Sequence, residues 1–321
     1  MQVNFAEIPK TMKTPFLMKK AKNCPPAAPV GDHEGREKGL IVYPVYSRRS
    51  GGLSVGVNLF PDKKSCIFDC PYCEVFPFSP GTARRQNALS PGQMEEDLRD
   101  AIATALERKI PVKDICFSGN GEPTMSPYFP EALERAGRVR TELVNAAELV
   151  LITNGTGLLD ERLFSLLRSA ALGMLCPPGL NIWLKLDAGT PQWYKKMNRC
   201  DIPFEKIVEK IEKFASCAPV TLQTMICAVD GEAPPPEEAD AWEKLVLKLA
   251  VAAAAESALS PAGLSLRKVQ IYGKARPSPE DPKATALPLE YLEKRGLSLR
   301  AAAAAEAGVL LGPAPKVEVY P

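Results

Sequence analysis

The sequence holds 321 residues, 45% of them hydrophobic, with 40 Lys and Arg against 38 Asp and Glu. That length and apolar content suffice for a large buried core and exclude disorder throughout, while the near-balanced charge gives no sign of a dedicated polyanion binder. A single histidine, His33, excludes a Ser-His-Asp triad, an HExxH zinc site and any multi-histidine metal centre.

In chain order, residues 1–40 are rich in Lys, Pro and polar residues without a sustained period, and read as an N-terminal extension. Their charges fall where a signal peptide needs its apolar stretch, so a cytoplasmic location is expected. The Ala-rich stretch 245–259 is interrupted by Lys248 and Glu256, so no membrane span is expected there. Over 41–277, short β-type runs alternate with amphipathic stretches. Strands are predicted over 54–60, 112–118, 148–153, 181–187, 220–227 and 266–272, and helices over 91–108, 130–145, 160–170, 203–215 and 236–257. Pro91, Pro203 and Pro236 stand where a first helical turn accepts proline. Six strands with five intervening helices predict an α/β fold, a partial (β/α)6 TIM-type barrel. A C-terminal extension, 278–321, carries a predicted helix over 289–307 and a strand over 317–320.

The first predicted strand leads into SCIFDCPYC, which sets thiols at Cys66, Cys70 and Cys73. Three thiolates on one loop can hold three irons of a cubane and leave the fourth open. A structural zinc site would want a fourth ligand, usually from a nearby C-x2-C or C-x2-H pair, and three unligated core thiols are the remaining alternative. Cys116, Cys176, Cys200, Cys217 and Cys227 are scattered and read as ordinary free cysteines.

In a parallel barrel the chemistry sits at the carboxyl ends of the strands. The strand 112–118 runs into Gly119, Asn120, Gly121, Glu122 and Pro123; the next ends at Thr153 and Asn154; and period-two alternation in NIWLKLDAG sets Lys185 and Asp187 on one face. Gln223 lies on the following strand. Taken singly, these are also an ordinary turn, a helix-entry cap and an internal ion pair; their recurrence after a cysteine loop points to one site.

CIFDCPYC, with its aromatic residue before the last cysteine, resembles the defining loop of the radical S-adenosylmethionine (radical SAM) superfamily. The resemblance implies a 4Fe-4S cluster on Cys66, Cys70 and Cys73, whose open iron is chelated by S-adenosylmethionine. It also implies Tyr72 beside the adenine, and Asn120, Gly121, Glu122 and Pro123 as a GGEP-like motif for the methionine amino group. Thr153 and Asn154 then meet the ribose or carboxylate; Lys185, Asp187 and Gln223 join the expected cofactor set on their place among the strand-end residues. The activity implied is reductive cleavage to a 5'-deoxyadenosyl radical that abstracts hydrogen, fed by an electron donor such as flavodoxin or ferredoxin. YPVYSRRSGG, NGEPT, LITNG and KLDAGTPQWY together are similar to iron-sulfur oxidoreductases resembling the wyosine-tRNA synthesis enzymes, which makes a tRNA base the substrate expected from the resemblance. The alternatives are a peptide or small-molecule substrate, or a non-catalytic iron-sulfur or zinc protein. Only Cys24 precedes Cys66, so the second cluster of the wyosine enzymes has no counterpart and their pyruvate condensation is not carried over. Arg48, Arg49, Lys63, Lys64, Arg84 and Arg85 give 41–90 a basic excess that suits phosphate contact, donor docking or a solvated face.

Overall fold

The computed structural model describes residues 39–62, 64–75, 89–257, 266–280, 282–306 and 315–321. The expected extension over 1–40 lies almost wholly outside them. An eight-stranded sheet organises the chain. Its six central strands are β2 (Gly52–Val57), β3 (Val112–Phe117), β4 (Glu148–Thr153), β5 (Leu180–Lys185), β6 (Val220–Ile226) and β8 (Leu266–Gly273), each parallel to its neighbour. These are the six strands the sequence predicts, and the sheet curls into the partial barrel expected of them. Most of the crossovers are helical: α1 (Pro91–Glu107), α2 (Phe129–Leu143), α3 (Glu161–Ala171), α5 (Phe204–Ala215) and α6 (Pro236–Ser257). Asp160 caps α3 by accepting from Arg162 N at 2.8 Å and Leu163 N at 2.9 Å.

Three elements were not expected. β1 (Val42–Ser47) pairs antiparallel with β2, Val42 opposite Val57 and Ser47 opposite Gly52. A seven-residue helix, α4 (Pro191–Met197), follows β5, and its cap Thr190 accepts from Trp193 N at 3.2 Å. A short ribbon joins β7 (Ala228–Val229) to β9 (Ala284–Thr285). In the C-terminal extension, the predicted helix is α7 (Leu289–Ala305), and the predicted strand, β10 (Lys316–Tyr320), lies parallel to β8 at the far sheet edge. The strand order is β1-β2-β3-β4-β5-β6-β8-β10, so β1 and β10 are the two edges. They are joined: Arg48 Nη1 donates to Pro321 O, and Tyr320 Oη to Arg49 O at 3.4 Å.

The alternation in each strand sorts its side chains between two environments. Ile115, Phe117, Leu149, Leu151, Ile182, Leu184, Leu222 and Val269 face outward into one continuous core with Leu98, Ile102 and Leu133 of the helices. At about 25 cal/mol per Å2, that apolar burial is the main force holding the layers together. On the inner face, Cys116, Val150 and Trp183 form a small separate cluster with Ile152. The rest of that face mixes polar side chains with Met225, and it walls the chamber described next. Among the described residues no helix is long and apolar enough to cross a membrane.

Candidate functional site

A chamber of about 440 Å3 opens inside the barrel, and Cys66, Cys70, Cys73, Glu122, Asn154, Lys185 and Arg49 all border it. The cysteine loop leaves β2 and is bolted to the turn after β3. Ser65 N donates to Asn120 O at 2.9 Å, and Glu122 N to Ser65 O at 2.8 Å. Gly121 permits this approach: a Cβ there would stand 1.9 Å from Ser65 O. Gly119, at φ +137°, tolerates a turn that few side chains adopt. Asn120 gives its side-chain amide to Phe60 O at 3.2 Å, so it braces the turn, while Pro123 opens a short 3-10 helix.

Glu122 is almost wholly buried, with an elaborate set of donors. Its Oε1 accepts from Thr124 N at 3.2 Å, Thr124 Oγ1 at 2.7 Å and Thr153 Oγ1 at 2.7 Å; its Oε2 accepts from Asn154 N at 2.7 Å. Burial pushes the carboxyl above its ordinary range, and these bonds oppose that shift. Oε1 is saturated, so the remaining acceptor capacity lies on Oε2. Thr153, the residue expected near the ribose or carboxylate, spends its hydroxyl on Glu122 and on the Gly155 N–H at 3.1 Å.

A second group centres on Asp187, which lies just beyond β5. Its carboxylate accepts from Tyr72 Oη at 2.5 Å, Asn198 Nδ2 at 3.1 Å and Met225 N at 2.9 Å, and pairs with Lys185 Nζ at 3.3 Å. Lys185 Nζ also bonds Tyr272 Oη at 2.5 Å and stands 4.9 Å from the Tyr72 ring centroid. Burial alone would lower the Lys185 pKa; the charge of Asp187 and the phenol of Tyr272 outweigh it and raise it. The internal ion pair and the shared strand face are therefore both present. Gln223 lies apart from this group, in the middle of β6: it is fully buried, donates to Gln270 Oε1 at 2.7 Å and accepts from Arg49 Nη1 at 3.2 Å.

The thiol donor set fits a cluster. All three cysteines are free and border the same chamber. Two of the three sulfurs have N–H donors: Cys66 Sγ accepts from Asn154 Nδ2 and Phe68 N, both at 3.4 Å, and Cys70 Sγ from Asn198 Nδ2 at 3.5 Å. Such donors favour thiolate and tune a bound centre. Burial pushes Cys66 up to about 11 and Cys70 up to about 12, so metal-free protein holds both as thiols at neutral pH, and a bound cation reverses that order. Among the described residues no three Cys, His, Asp or Glu side chains gather closely enough for a single metal ion. Three thiols bordering one chamber match the three protein ligands of a cubane with an open fourth iron.

The family model of the Radical SAM superfamily matches residues 63–238, more than half of the chain. The chain belongs to the radical SAM superfamily. Radical SAM membership makes it an enzyme, of a superfamily that typically binds a 4Fe-4S cluster and S-adenosylmethionine. It is 28% identical over 173 residues to a UPF0026 protein of Helicobacter pylori, covering 54% of this chain and 49% of that one. A UPF0026 protein of Methanocaldococcus jannaschii is 33% identical over 91 residues, 28% of this chain and 27% of that one. The chain thus spans about half or less of the length of the curated relatives it matches. Among solved structures, a radical SAM methyltransferase from Sphaerobacter thermophilus superposes with a TM-score of 0.55 at 17% identity, covering 86% of this chain and 68% of that one. Streptococcus suis SuiB bound to S-adenosylmethionine gives 0.52 at 10% identity, covering 80% and 48%. These likenesses establish the radical SAM partial barrel as the fold.

Two site residues were not singled out from the sequence. Asn198 ties Cys70 to Asp187 from the C-terminal end of α4, and no motif marks it. Trp183 was counted only as part of a strand, although two places further along, Lys185 was named. Period two would have put both on the inner face.

Proposed function

We propose that this protein cleaves S-adenosylmethionine reductively and uses the 5'-deoxyadenosyl radical to take a hydrogen atom from a substrate held in the chamber. The observation that carries the reading is the double engagement of Asn154: its backbone N–H holds Glu122 Oε2 and its side-chain amide holds Cys66 Sγ. A ligand on Glu122 and a centre on Cys66 are thereby made neighbours.

Cys66, Cys70 and Cys73 would hold a 4Fe-4S cluster, which when bound would supply one-electron reduction of the S-adenosylmethionine sulfonium. The chain's own residues do the positioning. Glu122 offers its free lone pair to the methionine ammonium, in a carboxylate already oriented by four protein donors. Tyr72, its hydroxyl fixed by Asp187 and its ring set against Lys185, presents a flat wall for the adenine. Asn198 and Asn154 hold their sulfur partners against movement, and the buried surroundings of the chamber keep water from a radical. A flavodoxin or ferredoxin is proposed as electron donor.

A tRNA base is the substrate that the sequence resemblance supports. The basic residues that suit phosphate contact divide in the fold: Arg48 and Arg49 enter the chamber, Lys64 stands 3.9 Å from Asp69, and Lys63, Arg84 and Arg85 lie outside the described residues.

The test is anaerobic reconstitution with iron and sulfide, addition of reductant and S-adenosylmethionine, and chromatographic assay of 5'-deoxyadenosine. Release of the nucleoside is expected. A reduced, iron-loaded protein that releases none, with any candidate substrate, refutes the proposal.

A further inference from the structure

The charge lining the chamber is unbalanced. Arg48, Arg49, Lys185 and Arg276 border it against Glu74 and Glu122. Arg276 is paired with Glu74 at 3.1 Å, and Lys185 with Asp187. Arg49 remains, with Arg48 beside it turned into the same space and near enough to Glu74 to feel its charge. Arg48 donates to Pro321 O. Among the described residues the Arg49 guanidinium has one hydrogen bond, to the neutral Gln223 Oε1, and no carboxylate within ion-pair distance. Asp114, the acid whose charge it feels, is engaged by Ser54 Oγ at 2.5 Å.

The Arg49 guanidinium is nevertheless held in place. It lies 5.0 Å from the Tyr272 ring centroid and 5.8 Å from that of Trp183, an arrangement that fixes its plane and leaves most of its five N–H donors at the edge. Trp183 supplies an independent sign. It borders the chamber, is 3% exposed, and its indole Nε1–H is buried without an acceptor. A buried donor left unpaired costs about 1–3 kcal/mol and calls for an explanation. Two cations and an orphan donor on one wall want a ligand that only accepts.

We propose that Arg49, with Trp183 and Arg48, forms an anion subsite that anchors a carboxylate or phosphate group of the substrate. This rests on the radical reading above and names the class of molecule that enters. The subsite adjoins the cosubstrate residues, since Arg49 and Lys185 each stand 5.0 Å from the Tyr272 ring centroid. Gln223, which holds Arg49, is opposite Lys185 in the β5–β6 register, and Trp183 is two residues before it. Arg49 therefore sits at the level of Lys185, with Trp183 one step towards the amino ends of the strands and Tyr272 one step towards their carboxyl ends. The cysteine loop and Glu122 stand at the carboxyl ends. A substrate anchored on Arg49 and Trp183 projects its remaining atoms up towards the place where the radical forms.

The experiment uses anaerobically reconstituted holoprotein saturated with S-adenosylmethionine, its binding read from the change in the cluster's electron paramagnetic resonance. Inorganic phosphate and succinate are then titrated separately by calorimetry. Saturable one-to-one binding of at least one is expected, and which one binds tells phosphate from carboxylate. Arg49→Gln should weaken it at least about tenfold, as loss of a charged hydrogen-bond donor does. Trp183→Phe, which keeps a ring under the guanidinium, should weaken it by a smaller factor, and decides the matter if Arg49→Gln fails to fold. Absence of saturable binding, unchanged affinity in both variants, or displacement of the anion by S-adenosylmethionine overturns the subsite. The last result would mean that the arginines hold the cosubstrate's own carboxylate. A protein whose cluster ignores S-adenosylmethionine refutes the functional reading instead, and anion titration of that same protein still tests the subsite.

Discussion

Gly121→Ala should damage the protein by disturbing a backbone contact, without touching any ligand. The added Cβ would stand 1.9 Å from Ser65 O, and real Cβ atoms essentially never approach closer than 3.0 Å, so the two segments must part by at least 1.1 Å, the difference between those figures. Such a shift breaks both bonds of the bridge, Ser65 N to Asn120 O at 2.9 Å and Glu122 N to Ser65 O at 2.8 Å, since each would open to nearly 4 Å. Two backbone bonds lost with their groups left unsatisfied cost about 2–6 kcal/mol. The obstacle is backbone, so no side-chain rotation relieves it. The loop that moves carries Cys66 one residue beyond Ser65, and the turn that moves carries Glu122. Urea unfolding should therefore show a loss of several kcal/mol, and the reconstituted variant should hold less iron and bind S-adenosylmethionine more weakly. A variant with unchanged unfolding midpoint, iron content and cosubstrate affinity would refute the reasoning.

Glu122→Gln keeps the shape of the side chain but removes its charge; iron content should stay at the wild-type level while affinity for S-adenosylmethionine, read from the cluster's resonance signal, falls at least about tenfold. Cys70→Ala should abolish cluster uptake, measured as iron and sulfide per chain. Asn198→Ala removes one donor from Asp187 and one from the Cys70 sulfur, so it should cost about 1–3 kcal/mol in unfolding and shorten the lifetime of the reconstituted cluster in chelator. Asp114 should impose a pH dependence on stability. Burial pushes its carboxyl up to about 6, against about 3.9 in unfolded chains, so the native state binds more protons between those values. Its contribution is fully present below pH 4 and is lost as pH rises through 6, on the order of 3 kcal/mol in all. Asp114→Asn should flatten the difference in unfolding free energy between pH 4 and 7; an identical slope in variant and wild type would show that the carboxyl is already ionised at pH 4.

The central strands were legible because each is a short run of β-branched and aromatic residues whose inner and outer faces differ, and because prolines mark three of the helix starts. β1 was hidden by Pro44. A proline inside an apolar run speaks against a strand, yet it is tolerated where the sheet ends and a missing N–H faces away from the ladder, and β1 is an edge. The short α4 had its signature in plain view, Thr190 as cap and Pro191 in the first turn, but seven residues give no helical period to detect. For the terminal strand, length and type could be read, whereas its partner could not: pairing with β8 is a contact between distant segments and leaves no local trace.

The same distinction applies to the site. Cys66, Cys70 and Cys73 form a local pattern, and Glu122 follows a turn whose glycines announce close approach, so both were visible in the chain. The arginine-lined wall of the chamber was not, because its parts come from opposite ends of the sequence and meet only when the sheet curls. Arg49 belongs to a hairpin turn at one sheet edge, and Tyr320, which donates to its carbonyl oxygen, belongs to the strand at the other. Beneath them Gln223 and Gln270, both fully buried, satisfy each other at 2.7 Å, so this depth of the barrel is polar by construction and its amides are fixed before any ligand arrives. A guanidinium set on such a base does not have to reorganise to receive an anion. If Gln223→Leu, which leaves the Arg49 guanidinium without its hydrogen-bond acceptor and Gln270 Oε1 without its donor, kept the wild-type affinity for phosphate and succinate, that support would have no part in binding.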